Sequence, residues 1–442
     1  MTRSLWLEDT KSIGFTSEKR KADVIVIGAG LTGLAAAWRL RMEGLDVIVL
    51  EASEIGKGTS GHTTGKITSQ HHLIYDYLID QFGEEKARIY ADANQWAVRE
   101  YMDLIGKEGI DCHLEEQSAH VYSHEETDVL EKEYAAATKL GLPCSLDTMA
   151  FSRNKVLTFS GQAQFHPRKF MLGLAEKIVD QGGTIIESTR VIKVQEKVLC
   201  TVTTNRGTYV ADHIVYATLF PILDHTFFAL RLRPVMHHGM AFSVKEKEFD
   251  GMYIGVNDIS YRYFGNTLIT VGQQQPIGED KNPYEILEKK AREKFAVESE
   301  ITRWSAHDQQ SPDRVPFIGS YDPVTDKQHT ATGFGAWGIT HAMVAAKILT
   351  DQISGSGNAW ADLYTPWRTG KTISMAIKKG KDTITSLVKG EHLCSHMGCG
   401  VVFNQFDQTY DCPCHGSRFD KEGNVLWGPA VKGIRGAKKK SE

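Results

Sequence analysis

Four consecutive apolar residues, Val24-Ile25-Val26-Ile27, break the alternation expected of a half-exposed strand. Such a run predicts a strand covered on both faces, as in a parallel sheet. It stops at Gly28-Ala29-Gly30-Leu31-Thr32-Gly33, where a helix over Leu31–Arg41 is expected to open. A second run, Val47-Ile48-Val49-Leu50, ends in Glu51, so Ala22–Glu51 reads as one compact strand–helix–strand unit. Farther on, Ala331–Thr340 reads strand, glycine loop, helix, with Thr340 expected as the helix N-cap. A helix is also predicted over Leu172–Gln181, ahead of Gly182-Gly183. Ile373, Ala376, Ile377, Ile384, Leu387 and Val388 approximate helical spacing among six basic residues, Arg368 to Lys389, which predicts a solvated linker helix. No apolar stretch reaches transmembrane length, and Met1–Lys21 lacks the apolar run of a signal peptide.

The chain of 442 residues is long enough for two or three domains. A net charge of −4 gives no electrostatic basis for nucleic-acid binding. Cys112, Cys144 and Cys200 stand apart from one another, as in a reduced compartment, so a cytoplasmic location is expected.

The glycines after the first strand supply chemistry as well as a turn. In Gly28-x-Gly30-x-x-Gly33 the first glycine permits the tight turn and the second lets backbone approach a pyrophosphate; the third lets helix and strand pack closely. Amides at the helix start then face the phosphates. Glu51, eighteen residues past Gly33, is placed to accept from a ribose. The fingerprint leaves NAD and FAD both open.

Four of the seven cysteines fall in the last fifty residues, interleaved with histidines. Cys394-x-His396, fifteen intervening residues, then Cys412-x-x-His415 is the ligand spacing of a Rieske centre, in which imidazoles replace thiolates on one iron and raise the potential. A tetrahedral zinc site on the same four side chains is the rival reading. Zinc gives no reason for Cys399 and Cys414.

Leu393–Cys399, Cys412–Asp420 and Gly428-Pro429-Ala430 resemble Rieske proteins. That resemblance implies a Cys399–Cys414 disulfide tying the cluster loops, and a Ser417 hydroxyl donating to a bridging sulfide. Phe419 stands where the respiratory proteins carry tyrosine, which implies a potential below theirs. Most of the first 365 residues resemble the D-amino-acid oxidase family of flavoenzymes, through several segments. These are the fingerprint, Gly56–Lys66, Gln164-Phe165-His166-Pro167, Ala211–Thr218, Arg303-Trp304, Pro312–Gly319 and Ala331–Thr340. The whole chain is similar to bacterial FAD-dependent oxidoreductases with a C-terminal Rieske domain, with Ser4-Leu5-Trp6-Leu7 and Asn358-Ala359-Trp360 fitting that group.

This resemblance implies an α/β architecture: a two-dinucleotide-fold FAD-binding domain with an antiparallel-sheet substrate subdomain (1–365), a basic helical linker (366–390) and a small all-β Rieske domain (391–442). It implies FAD contacts at His62, Thr63, the Val191 backbone, Gly333, Gly338, Ile339 and Thr340. The helix after the last glycine loop would aim its N-terminus at the flavin pyrimidine carbonyl. His62 occupies the place where some relatives attach FAD covalently; non-covalent contact is the expectation. Lys66 is expected near the flavin, where a cation assists reaction with oxygen. Trp337, Arg262 as a carboxylate clamp and Tyr253 are the substrate-site candidates, each with an ordinary structural alternative. Of His237-His238, strand neighbours pointing to opposite faces, at most one faces the flavin.

About forty residues separate the expected end of the flavin domain from Cys394. The Rieske domain is therefore expected to lack its N-terminal base strands, or a segment is missing before Glu391. Flavin and cluster in one chain imply oxidation of an amine or amino acid by hydride transfer to flavin N5. Electrons would then leave singly through the cluster to a one-electron protein or quinone. The alternatives are a reductase or demethylase component fed through the cluster, and a non-catalytic redox sensor.

Overall fold

The computed structural model describes residues 3–124, 127–148, 155–222, 226, 228–278, 282–368 and 392–434. The N-terminal strand, Lys21–Ile27, lies inside an eight-stranded sheet, paired in parallel with Val47–Leu50 on one side and Gly207–Tyr216 on the other. Its unbroken apolar run follows from that position. Val24 and Val26 enter one hydrophobic core, whereas Ile25 and Ile27 enter a second core across the sheet. Burying each such side chain stabilises the fold by roughly 1.5–3 kcal/mol.

The predicted helix spans Leu31–Met42. Gly33 lets it lie close to the strand, because a Cβ there would stand 1.9 Å from the Gly28 carbonyl oxygen. Gln328–Thr332 pairs in parallel with Gly207–Tyr216 and leads through the glycine loop into the helix Gly338–Ile353. The helix predicted over Leu172–Gln181 forms as Pro167–Asp180, one turn earlier, because Pro167 takes the first helical position and His166 caps it through its ring.

A nine-stranded sheet forms the second layer, in the order Val297–Gln310, Arg233–Val244, Thr267–Gln275, Ser260–Phe264, Met252–Gly255, Glu115–Tyr122, Lys155–Gln164, Lys66–Ile67, with Cys144–Thr148 as the ninth strand, paired to Lys155–Gln164 off that path. Its pairings are antiparallel except that Met252–Gly255 runs parallel to Glu115–Tyr122. The C-terminal region is a four-stranded antiparallel sheet, from Val402–Asn404 through Thr409–Asp411 and Arg418–Phe419 to Val425–Trp427. Among the described residues its buried core is Cys394, Cys399, Val401, Cys412, Cys414, Phe419, Ala430 and Ile434. So small a core depends on covalent or metal staples. The expected linker helix and the question of missing base strands both fall on residues 369–391, outside the described residues.

Candidate redox centres and the strand between them

A cavity of about 1390 Å³ runs from the glycine fingerprint to the nine-stranded sheet. Gly28, Gly30, Glu51, His62, Thr63, Val191, Gly333, Gly338 and Ile339 line it, as does Trp337. A side chain at Gly30 would fill the cradle, since its Cβ would meet the Ser60 hydroxyl at 2.8 Å. Glu51 accepts from the amides of Ala29 and Ser53, both at 2.8 Å. Burial raises its carboxyl, against the pull of those amides and of Arg190. Glycine-lined backbone at one end and a buried acid one strand over suit the pyrophosphate and ribose of a dinucleotide.

Several expected residues stand elsewhere. Thr340 is not the N-cap: Trp337 holds that position, the helix starts at Gly338, and Thr340 is buried with its hydroxyl 2.9 Å from His71 Nε2. Arg262 is no carboxylate clamp. It is fully buried away from the cavity, donating to the carbonyls of Thr64 at 2.5 Å and Phe165 at 3.1 Å, with its guanidinium 5.4 Å from the Trp6 ring centre. Backbone carbonyls buried with it leave no vacancy for a substrate. Tyr253 also lies off the cavity, stacked on Tyr261 at 4.8 Å and on His120 at 4.7 Å. Its carbonyl accepts from Lys66 Nζ at 2.7 Å. Lys66 itself reaches the cavity wall, and burial, aided by Arg262, lowers its ammonium to about 7. Trp337 stacks on His71 with ring centres 5.0 Å apart. His237 lines the cavity, while His238 faces away, bonded to the Gln273 carbonyl at 3.0 Å. His62 Nδ1 lies 2.8 Å from the Gly58 carbonyl, and burial keeps the ring neutral, its value lowered to about 4.

The two cysteine–histidine loops form matching turns. The Cys394 amide donates to Cys399 O and the Cys412 amide to Ser417 O, each at 2.8 Å. Cys399 and Cys414 form a disulfide, with Cα atoms 6.6 Å apart. Although the Sγ atoms of Cys399, Cys412 and Cys414 crowd together, two of them are thereby consumed. Cys394 and Cys412 remain as thiols, and the rings of His396 and His415 stand 5.1 Å apart and nearly perpendicular. A hydrogen bond from the Cys412 thiol, the His396 amide, the Ser417 hydroxyl and the Met397 amide lower Cys394 to about 6. Cys412 is pushed up by the proton it shares with Cys394 and by burial. Two cysteine sulfurs, each with backbone N–H donors aimed at it, beside two imidazoles, fit a binuclear cluster with thiolates on one iron and histidines on the other. The Ser417 hydroxyl also accepts from the Ala430 amide at 3.1 Å.

One strand, Val297–Gln310, serves both sites. Successive side chains point to opposite faces. Ala306, Asp308 and Gln310 line the dinucleotide cavity. From the other face Gln309 donates to the His415 carbonyl at 3.0 Å, and His307 Nδ1 lies 3.0 Å from Gly416 O. Ser305 donates to Asp407 at 2.5 Å, where Asp407 and Arg418 close the cavity edge. Arg418 is buried between Asp407 (2.6 Å) and Asp411 (2.7 Å). Burial alone would raise Asp407, but Arg418, Ser305 and Tyr284 outweigh it and hold the carboxyl at about 2. Phe220, on the cavity wall, sits 5.9 Å from the His396 ring and 5.6 Å from the His415 ring. Trp427 lines the same cavity 5.7 Å from His62. Phe220, Asp308 and Trp427 carry no sequence signal, and Arg418 has only its place within Cys412–Asp420, since each matters through what the fold sets beside it.

A dinucleotide cradle joined along one strand to a two-cysteine, two-histidine centre defines a flavoprotein oxidoreductase with a Rieske cluster. The family of FAD dependent oxidoreductases matches residues 23–352, and the Rieske [2Fe-2S] domain matches residues 373–438. The chain belongs to that oxidoreductase family, and its cofactors are FAD and a Rieske cluster. It is similar to YhfW of Bacillus subtilis, named as a Rieske 2Fe-2S iron–sulfur protein, with 31% identity over 97% of this chain and 95% of that one. The alignment runs over 485 positions, so the relative has residues with no counterpart here. The gamma-glutamylputrescine oxidoreductase of Escherichia coli is 28% identical over 46% of this chain and half of its own. Glycine oxidase from Geobacillus kaustophilus shares the fold, with a TM-score of 0.69 at 18% identity over 80% of this chain and all of that one. Among the described residues no helix is long and apolar enough to cross a membrane.

Proposed function

We propose that this chain oxidises a small amine or amino-acid-type substrate at FAD and delivers the electrons singly, through the Rieske cluster, to an external one-electron protein or quinone, in the cytoplasm. FAD supplies hydride acceptance from the carbon beside nitrogen, and the cluster supplies one-electron transfer. The observation that carries the reading is the shared wall: both cluster histidines pack on Phe220, which lines the dinucleotide cavity.

The residues divide the work. Gly28, Gly30 and Glu51 hold the dinucleotide's phosphates and ribose, with Val191 beside them on the cavity wall. Trp337 and His71, stacked together, wall the substrate end and exclude water. Cys394, Cys412, His396 and His415 are the proposed cluster ligands. Arg418, Asp407 and Ser305 hold the cluster domain on the nine-stranded sheet so that its distance from the cavity does not vary.

The test is anaerobic titration of the purified holoprotein with a panel of amines and amino acids. Flavin bleaching should precede growth of the reduced cluster's EPR signal. Bleaching that leaves the cluster oxidised would remove the relay. Equimolar zinc without inorganic sulfide would remove the cluster.

A further inference from the structure

The carboxylates around the cavity are matched to partners, with one exception. Glu51 has the opposite charge of Arg190 nearby, Asp258 pairs with Lys290 and Lys294, and Asp407 pairs with Arg418. Asp308 is 5% exposed, and among the described residues no lysine or arginine pairs with it. Its two oxygens accept only from the amides of Gln309, at 2.7 Å, and Ala336. A buried carboxylate without a counter-charge is costly. Burial accordingly raises Asp308 to about 6, against the pull of those two amides, which still leaves it ionised at neutral pH.

His237 shares its face of the sheet. That residue pairs with Ala306 while Val235 pairs with Asp308, so His237 stands one pair along, diagonal to Asp308, and lines the same cavity. Burial keeps His237 neutral, lowered to about 4, and its Nε2 has no hydrogen-bond partner among the described residues. Ala336, which donates to Asp308, immediately precedes Trp337 on the cavity wall. This corner therefore offers an anion, a neutral nitrogen acceptor and an aromatic ring. An ammonium group, with three donors and a positive charge, satisfies all three.

We propose that Asp308 is the specificity-determining residue of the substrate site, holding the protonated amino group of a small primary ammonium ion with His237 Nε2 as second acceptor. The inference rests on the amine-oxidising reading above and names the group that the cavity selects. A carboxylate at this corner repels Asp308, and a hydroxyl can donate to it without neutralising it, which is discrimination by an unmet charge.

The experiment uses oxidised, anaerobic holoprotein and the flavin absorbance. Primary ammonium ions from methylammonium to benzylammonium are titrated against the corresponding neutral alcohols. Wild type should prefer the ammonium member of each pair. Asp308→Asn should weaken the ammonium ions more than about tenfold and leave the alcohols and the FAD content unchanged. Asp308→Glu, which keeps the charge, should restore part of the preference. If the Asn variant loses FAD or weakens both members alike, Asp308 is only a staple for the Ala336 loop and the assignment is overturned. Equal wild-type binding of amine and alcohol overturns it as well. Charge-selective binding with no bleaching by any amine removes the amine-oxidising reading and leaves the assignment standing.

Discussion

Replacing Arg418 by methionine tests whether the cluster domain is fixed to the flavin domain by a buried charge network. The guanidinium reaches Asp411 at 2.7 Å, Asp407 at 2.6 Å and Ser305 at 2.8 Å, and all four side chains are buried. Methionine fills much of the volume, removes every donor and leaves two carboxylates facing each other out of water. Breaking a buried pair in this way costs about 3–5 kcal/mol, a roughly 10²–10⁴-fold loss in the folded, docked population. Guanidinium chloride unfolding, followed through the visible absorbance of the cluster, reads that loss. The pH dependence adds a sign. In the wild type Asp407 is held at about 2, below its ordinary 3.8, so its stabilisation is complete above pH 3.8 and disappears as pH falls through 2. Between pH 5 and 8 it contributes no slope. In Arg418→Met burial remains while the cation is gone, and both carboxyls rise above their ordinary value. Their contribution is then present in acid and lost as pH rises through the new values, so the variant is less stable at pH 8 than at pH 5. Adding Asp407→Asn and Asp411→Asn to the methionine variant should remove that slope. A loss below about 1 kcal/mol, or wild-type pH behaviour, would refute the buried clamp.

Other changes probe the two centres separately. Ser417→Ala removes a hydroxyl donor to Cys394 and should lower the cluster midpoint by ~40 mV, taking about 1 kcal/mol for the bond and a one-electron couple; protein-film voltammetry measures it. Gly30→Ala places a methyl against the Ser60 hydroxyl in the phosphate cradle, so purified protein should carry less FAD per chain while the cluster's EPR signal persists. Acid precipitation should leave a colourless pellet and a yellow supernatant, because FAD is expected to be held at His62 without a covalent bond. Lys66 is lowered to about 7, so any positive charge it lends to oxygen reduction is present below that pH and fades above it. Peroxide formation by photoreduced protein should decline as pH rises through 7, and Lys66→Met should abolish the decline.

Local chemistry was legible in the chain wherever adjacent residues determine it. The unbroken run Val24–Ile27 reported a strand buried on two faces, and the two Cys–His boxes carried the cluster domain's chemistry within a few residues each. Boundaries followed less well. Thr340 has the composition of an N-cap, yet the left-handed backbone of Gly335 and Ala336 lets the helix begin earlier, at Gly338. Arg262 reads as a carboxylate clamp because a sequence shows a charge without its surroundings. Here three backbone carbonyls, from Thr64, Phe165 and Tyr263, occupy the guanidinium. The stretch Ser305–Gln310 was opaque for another reason. Period-two reading depends on one face being apolar. This strand is polar or small on both, because neither face meets an ordinary core.

That opacity also locates the coupling between the two centres. A strand whose faces serve different sites cannot shift register by one residue without exchanging them: Asp308 would turn toward the cluster domain and Gln309 toward the cavity. The pairing of Val297–Gln310 with Arg233–Val244, bulged between Ala241 and Val244 but regular from Arg233 to Ala241, fixes the register over the stretch that matters. The Gln309–His415 and His307–Gly416 bonds then tie the histidine side of the cluster to that regular stretch of the sheet. It follows that substitutions at His307 or Gln309 should slow cluster reduction while flavin bleaching stays unchanged. Stopped-flow reduction followed at flavin and cluster wavelengths separates the two, and an equal effect on both would mean that the strand supports the fold without setting the distance.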